Sequence, residues 1–238
     1  MEKVLHYIHD PLCGWCYGAS ALTEAAASLA PGQFEIRLHA GGLFQRTRLS
    51  DANRAHIRSA DARIGEITGQ IFGQAYLNGL LSDPATVYDS SQPIRGILAA
   101  DAIKPGSGLA MLKALQRAHY QSGLRIGEML TIVKVGEAIG LDAVQFTRAF
   151  ETVGANELTE HLKSTHELMR KLGVQGYPAF VAQVGPHYER LPHDRFYGNA
   201  EAFADQVAHL LITKRDADVP EQVGAALHDN LLMSRRIT

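Results

Sequence analysis

From about Leu49 to Gly173 the sequence carries no strand pattern, while short β-forming segments stand on both sides of that stretch. The middle breaks into helical runs at Asp83-Pro84, Pro93, Pro105-Gly106, Gly123, Gly140 and Gly154, the punctuation expected where helices start and stop. A helical block of domain size therefore sits inside a strand-bearing frame. In its last run Leu158, Leu162, Met169 and Leu172 share one helical face, Glu167 stands four residues before Lys171, and Gly173 suits the position just past a helix end.

The frame opens as β-α-β. Residues 3–9 are rich in β-formers and stop at Asp10-Pro11; residues 14–30 are rich in alanine and stop at Pro31-Gly32. Phe34, Ile36 and Leu38 then alternate with Glu35, Arg37 and His39 up to Gly41-Gly42, the pattern of a half-buried strand. The frame closes as β-β-α: residues 179–184 and 187–191 read as strands joined at Gly185-Pro186, and Asn199 is placed as the N-cap of an amphipathic run over 200–211. Residues 214–238 are polar and then mildly amphipathic through Val223, Leu227 and Leu231, which fits a docked helix or a frayed end. The expected organisation is α/β: a discontinuous strand-bearing domain over 1–48 and 165–215, an all-helical insertion over 49–164, and a tail over 216–238.

With 238 residues, 46% of them hydrophobic, the chain can bury a core without a disulfide. Its two cysteines are too few for a stapled framework, so their use is chemical. Lys and Arg are scattered and the formal charge is -2, which excludes the electrostatic footprint of a nucleic-acid binder. Arg46-Thr47-Arg48 and Arg235-Arg236 come nearest to basic patches and read as solvated surface. The start lacks the pattern of a secretory signal and no segment approaches ~18 uncharged apolar residues, so the expectation is a cytoplasmic protein without a membrane partner.

Both cysteines and the single tryptophan fall within Asp10-Pro11-Leu12-Cys13-Gly14-Trp15-Cys16-Tyr17-Gly18. If the helix begins at Cys13, Cys16 lies about one turn on, within bridging reach. Cys13 then meets the unsatisfied N–H groups of a helix start, which favour a thiolate and make it the attacking sulfur; Cys16 is suited to resolve the mixed disulfide. A structural disulfide across so short a loop would constrain the unfolded chain little. A metal site would need His6 and His9, which on a strand point to opposite faces, unless two chains each gave a cysteine pair. C-x-x-C beside a β-α-β pattern is the signature of redox chemistry. Trp15 and Tyr17 add apolar surface around the pair; Trp15 is expected exposed and Tyr17 packed.

The order strand, Cys13-Gly14-Trp15-Cys16, helix, strand, helical block, then Gly176-Tyr177-Pro178 leading into a hairpin and a last helix resembles the DsbA-like branch of the thioredoxin superfamily over about residues 3–213. More closely it is similar to the cytosolic FrnE-type predicted protein-disulfide isomerases. The resemblance implies a thioredoxin-like domain with a large helical insertion and a cis bond between Tyr177 and Pro178. It further implies Cys13 and Cys16 as catalytic residues, with Trp15, Tyr177 and Pro178 against the substrate. Cofactor and metal are then absent, the redox-active disulfide serving instead with glutathione open as a reagent, and the partners are protein or small-molecule thiols and disulfides.

Two positions depart from the resemblance. Tyr7 stands where some members carry a buried carboxylate, so a proton relay to Cys16 falls to water, His6, His9 or Asp10; and Gly14-Trp15 replaces the histidine of strongly oxidising relatives, implying a less oxidising poise. Two other readings stay open. Hydroxychromene-carboxylate isomerases and kappa-type transferases, which depend on glutathione, share the architecture but usually carry serine at the Cys13 position; here Arg46 or Arg48 could hold a glutathione carboxylate. The other is a metal- or cluster-binding module bridging two subunits. His119, His161, His166, His187 and His193 read as surface or capping residues.

Overall fold

The structure, a computed structural model, describes residues 1–29 and 32–213. The expected tail over 216–238, the Arg235-Arg236 pair and Pro31 lie outside the described residues. The main sheet runs in the order β2-β1-β5-β6, from β1 (Lys3–His9), β2 (Glu35–Ala40), β5 (Ala179–Val184) and β6 (His187–Leu191). β1 and β2 are parallel with Tyr7 opposite Leu38, and β1 and β5 are antiparallel with Tyr7 opposite Phe180. The β5–β6 hairpin has the bounds expected from its alternation and the Gly185-Pro186 turn.

Parallel neighbours need a crossover, supplied here by α1 (Gly14–Gly18) and α2 (Ser20–Ala27). The expected single helix is broken at Ala19, where the Ser20 hydroxyl donates to the Tyr17 carbonyl at 2.6 Å and competes with the regular ladder. Side chains of β1 alternate between two faces. On one, Tyr7 stacks on Phe180 at 4.5 Å and Phe180 meets Phe203 of α9 (Ala200–Ala208) edge-on at 4.9 Å. Truncating a ring so placed costs about 3–5 kcal/mol. On the other, Ile8, Ala179 and Val181 pack on Met169 of α8 (Ala155–Lys171). α9 is capped as expected, with Asn199 Oδ1 accepting from Ala202 N at 3.1 Å.

The insertion contains α3 (Asp51–Thr68), α4 (Ser91–Ile103), α5 (Ser107–Tyr120), α6 (Met129–Ala138) and α7 (Ala143–Thr152), followed by α8, which runs without interruption across 164/165. It is not wholly helical: its β4 (Val87–Tyr88) pairs with β3 (Thr47–Arg48) at the end of the frame segment before it, a ladder too short to leave an alternation in sequence. Residues Ala75–Leu80 form a π-helical turn, Leu81 N bonding to Tyr76 O at 2.8 Å. Gly173 takes a left-handed φ of 64° after α8, as the sequence predicts. Lys171, however, lies over the Tyr188 ring at 4.5 Å, and Glu167 faces Arg170 at 4.0 Å. His119 corrects the surface expectation: it is buried among Tyr76, Tyr88 and Tyr120 of the insertion core.

Candidate active site

Pro11 ends β1, and the turn that follows is built on Asp10. The Asp10 carbonyl accepts from Cys13 N at 3.2 Å, and its carboxylate accepts from Leu12 N at 2.9 Å and Leu43 N at 2.7 Å and from the Ser90 hydroxyl at 2.9 Å. One side chain therefore fastens the cysteine turn to the loop after β2 and to the head of α4. Cys13 is the N-cap of α1, with extended backbone at φ -89° and ψ 117° and its carbonyl accepting from Tyr17 N at 3.0 Å. This is the helix start that the C-x-x-C spacing predicts.

The two thiols differ in access. Cys13 is 9% exposed and its thiol donates to the Tyr177 carbonyl at 3.7 Å, while Cys16 is 0% exposed. Cys16 Sγ accepts from Asp10 N at 3.4 Å, and the Tyr7 hydroxyl donates to the Cys16 carbonyl at 3.2 Å. The sulfurs lie close enough to hydrogen-bond; burial first, and then that bond, push the Cys16 thiol well up. Both are free cysteines. The arrangement makes Cys13 the less covered of two buried thiols and keeps its partner protonated behind it.

The Tyr177–Pro178 bond is cis, as the resemblance implies; the half-buried Tyr177 meets Cys13 through its carbonyl, and Pro178 is buried. The Tyr177 ring lies on Gly41, where a Cβ would fall 1.9 Å from the Tyr177 hydroxyl, so no larger residue fits at Gly41. Burial, and then the Asp10 charge, push the Tyr177 hydroxyl up to about 12. Trp15 corrects its expected exposure: it is half-buried, its ring 5.3 Å from Tyr197, whose hydroxyl donates to the Trp15 carbonyl at 3.3 Å. Tyr17 is packed as expected, stacked on Tyr120 at 4.8 Å.

Of the relay candidates, Asp10 meets Cys16 through its backbone N–H, its carboxylate being bonded to Leu12, Leu43 and Ser90. His6 lies on the α8 face, bonded to His39 at 2.9 Å and Gln183 at 2.7 Å, and His9 stacks on Tyr7. His6 and His9 therefore do not converge with the thiols. Among the described residues no group of three or more His, Cys, Asp or Glu side chains is placed to hold a metal ion. Of the other histidines, His161 accepts from Ala40 N at 3.1 Å and His166 bonds to the Gly41 carbonyl at 2.8 Å, so both support the loop beneath Tyr177.

Sequence reasoning missed Asp61, Ser90 and Tyr197. Asp61 is buried below α1, its Oδ1 2.8 Å from where a Cβ on Gly14 would lie, and accepts from the Tyr76 hydroxyl at 2.8 Å. Its signal is an acidic residue in the apolar stripe Ile57, Asp61, Ile64 of α3. Ser90 and Tyr197 leave no comparable trace, because what they do depends on the distant residues they meet. Arg46 and Arg48 are exposed; Arg46 lines a cavity of about 340 Å³ that also takes in Leu12, Tyr88, His119 and Arg125.

A cysteine pair at a helix start, a cis-proline loop beside it and a mixed sheet interrupted by helices define a thiol–disulfide oxidoreductase of thioredoxin-like fold. The chain belongs to the family described as the DSBA-like thioredoxin domain, whose model matches residues 5–210. It is 36% identical to the cytosolic disulfide reductase DsbM from Pseudomonas aeruginosa, with a TM-score of 0.82 over 89% of this chain and 100% of that one. The same Pseudomonas aeruginosa protein solved with GSH matches at 36% identity and a TM-score of 0.78, over 87% of this chain and 98% of that one. A 2-hydroxychromene-2-carboxylate isomerase shares the fold at 15% identity and a TM-score of 0.55, over 87% of this chain and 97% of that one. No curated protein sequence matches. No helix among the described residues is long and apolar enough to cross a membrane.

Proposed function

We propose that the protein is a cytosolic disulfide reductase working through Cys13 and Cys16. The Cys13 thiolate attacks one sulfur of a substrate disulfide; that S–S bond breaks, and the departing thiolate takes a proton from water. Cys16 then gives up its proton and attacks Cys13 Sγ, releasing the second substrate thiol and closing a Cys13–Cys16 disulfide. Two equivalents of a thiol restore the dithiol, themselves joined as a disulfide. The observation that carries this reading is the asymmetry of the pair, a less covered Cys13 at the helix start before a fully sealed, protonated Cys16.

A substrate chain joined to Cys13 passes the Tyr177 carbonyl and Pro178, with the Trp15 edge on its other side. Glutathione is the thiol we assign as reductant, supported by the DsbM relative solved with GSH. Its carboxylate suits Arg46, which shares a cavity with Leu12 beside Cys13, better than Arg48. A cysteine at position 13 disfavours the isomerase and transferase chemistry. The domain division at 48/49 and 164/165 stays part of this proposal.

Insulin reduction with wild type, Cys13→Ser and Cys16→Ser tests the mechanism. Cys13→Ser should lose at least ~10³-fold in turnover, and Cys16→Ser should accumulate a mixed disulfide visible by mass. Undiminished turnover in Cys13→Ser would refute the proposal. Cell fractionation checks the compartment, and glutathione-driven regeneration of the Cys13–Cys16 dithiol checks the reductant.

A further inference from the structure

Behind the cysteine turn a second cavity, of about 510 Å³, opens between α2, the edge strand β2 and helices α4 and α5 of the insertion. Its size falls in the ~300–1,000 Å³ range of small-molecule sites. Ile36, Leu38, Ile97, Leu98 and Leu109 make its walls apolar. The charged residues at its rim already have partners. Arg37 is paired with Glu2 at 3.0 Å and Glu35 at 2.6 Å, and Asp101 Oδ1 accepts from Gly106 N at 2.8 Å and Gly108 N at 3.1 Å. His161, also in the lining, has its Nε2 committed to Ala40 N.

His9, at the inner end, is different. It is 0% exposed, lines the cavity, and neither ring nitrogen has a hydrogen-bond partner among the described residues. A fully buried imidazole with both nitrogens unpaired is costly, and such a group in a native fold calls for an explanation. Burial first, and then nearby His161 and His39, drive its pKa down to about 3, so at neutral pH the ring is uncharged, with one N–H donor and one acceptor nitrogen. A neutral imidazole pairs with a hydroxyl or carbonyl, and apolar walls exclude an ionised head group.

We propose that this cavity binds a small uncharged molecule, apolar over most of its surface, through one hydroxyl or carbonyl bonded to His9. The site is distinct from the substrate face of Cys13. His9 stacks on Tyr7 at 5.1 Å, and the Tyr7 hydroxyl donates to the Cys16 carbonyl, so the occupant sits behind the turn that carries the cysteines.

The intact protein is titrated calorimetrically with 2-naphthol and with 2-methylnaphthalene, which has the same rings without the hydroxyl. Wild type should bind one 2-naphthol per chain about tenfold more tightly than 2-methylnaphthalene, the difference one hydrogen bond supplies. His9→Leu should abolish that preference, and Leu98→Trp, which fills the cavity, should abolish binding of both. On ¹⁵N-labelled wild type, 2-naphthol should shift the His9 ring signals, a reading that stands even if a variant fails to fold. Unmoved His9 signals, an unchanged preference in His9→Leu or undiminished binding to folded Leu98→Trp would each overturn the proposal.

Discussion

Two buried carboxylates stand on opposite sides of the cysteine turn, and they are held in different ways. Asp10, at the end of β1, accepts from two backbone N–H groups and the Ser90 hydroxyl. Asp61, on α3, accepts from the Tyr76 hydroxyl and presses on Gly14. Burial is the leading cause for both and pushes each up to about 6 from a usual 3.8. Such a group favours the fold fully below about pH 3.8 and loses that contribution as pH rises through about 6, a ceiling of about 3 kcal/mol each. The difference teaches that equal titration can hide unequal roles: Asp10 joins three segments, whereas Asp61 fills the space beneath one.

The largest effect should come from breaking the Asp10 junction. Asp10→Ala leaves Leu12 N, Leu43 N and the Ser90 hydroxyl without their acceptor and should cost about 3–5 kcal/mol in urea unfolding. A loss below about 1 kcal/mol would put Asp10 on the same footing as Asp61. Asp61→Asn should act in the opposite direction. Its amide oxygen can still accept from Tyr76 while the buried charge is gone, so unfolding at pH 7.5 should show a gain of about 2 kcal/mol that vanishes near pH 4. Destabilisation at both pH values would mean that the Tyr76 bond needs the carboxylate itself.

Gly14→Ala probes the contact from the other side. Its Cβ would meet Asp61 Oδ1 at 2.8 Å and Ile64 Cδ1 at 3.1 Å, for a cost of about 1–2 kcal/mol that Asp61→Ala should partly relieve in a double-mutant cycle. Additive losses would show that Gly14 and Asp61 do not compete for space. Tyr197→Phe is expected to be the mildest. It keeps the ring beside Trp15, removes the bond to the Trp15 carbonyl, and should lower stability by about 0.5–1 kcal/mol.

What could be read beforehand follows spacing. The β5–β6 hairpin, the Asn199 cap, Gly173 after α8 and Cys13 at a helix start depend on neighbours within a few residues, and the structure places each where the pattern does. The misses have long-range causes. Trp15 is half-buried because Tyr197, remote in sequence, folds over it, and His119 is internal because three insertion tyrosines surround it. The break at Ala19 is local, but a serine hydroxyl competing for a carbonyl does not register in an alanine-rich helical pattern.

The sequence by itself determined the alternation of elements, the helical interruption of the sheet and the cysteine pair at a strand-to-helix turn, because periodicity and turn chemistry act between near neighbours. Only the tertiary structure decided what satisfies Asp10 and what leaves His9 without a partner among the described residues. Those outcomes turn on whether a donor from another segment arrives at a buried polar atom. Ser90 reaches Asp10 across 80 residues of chain, and no local pattern records that meeting.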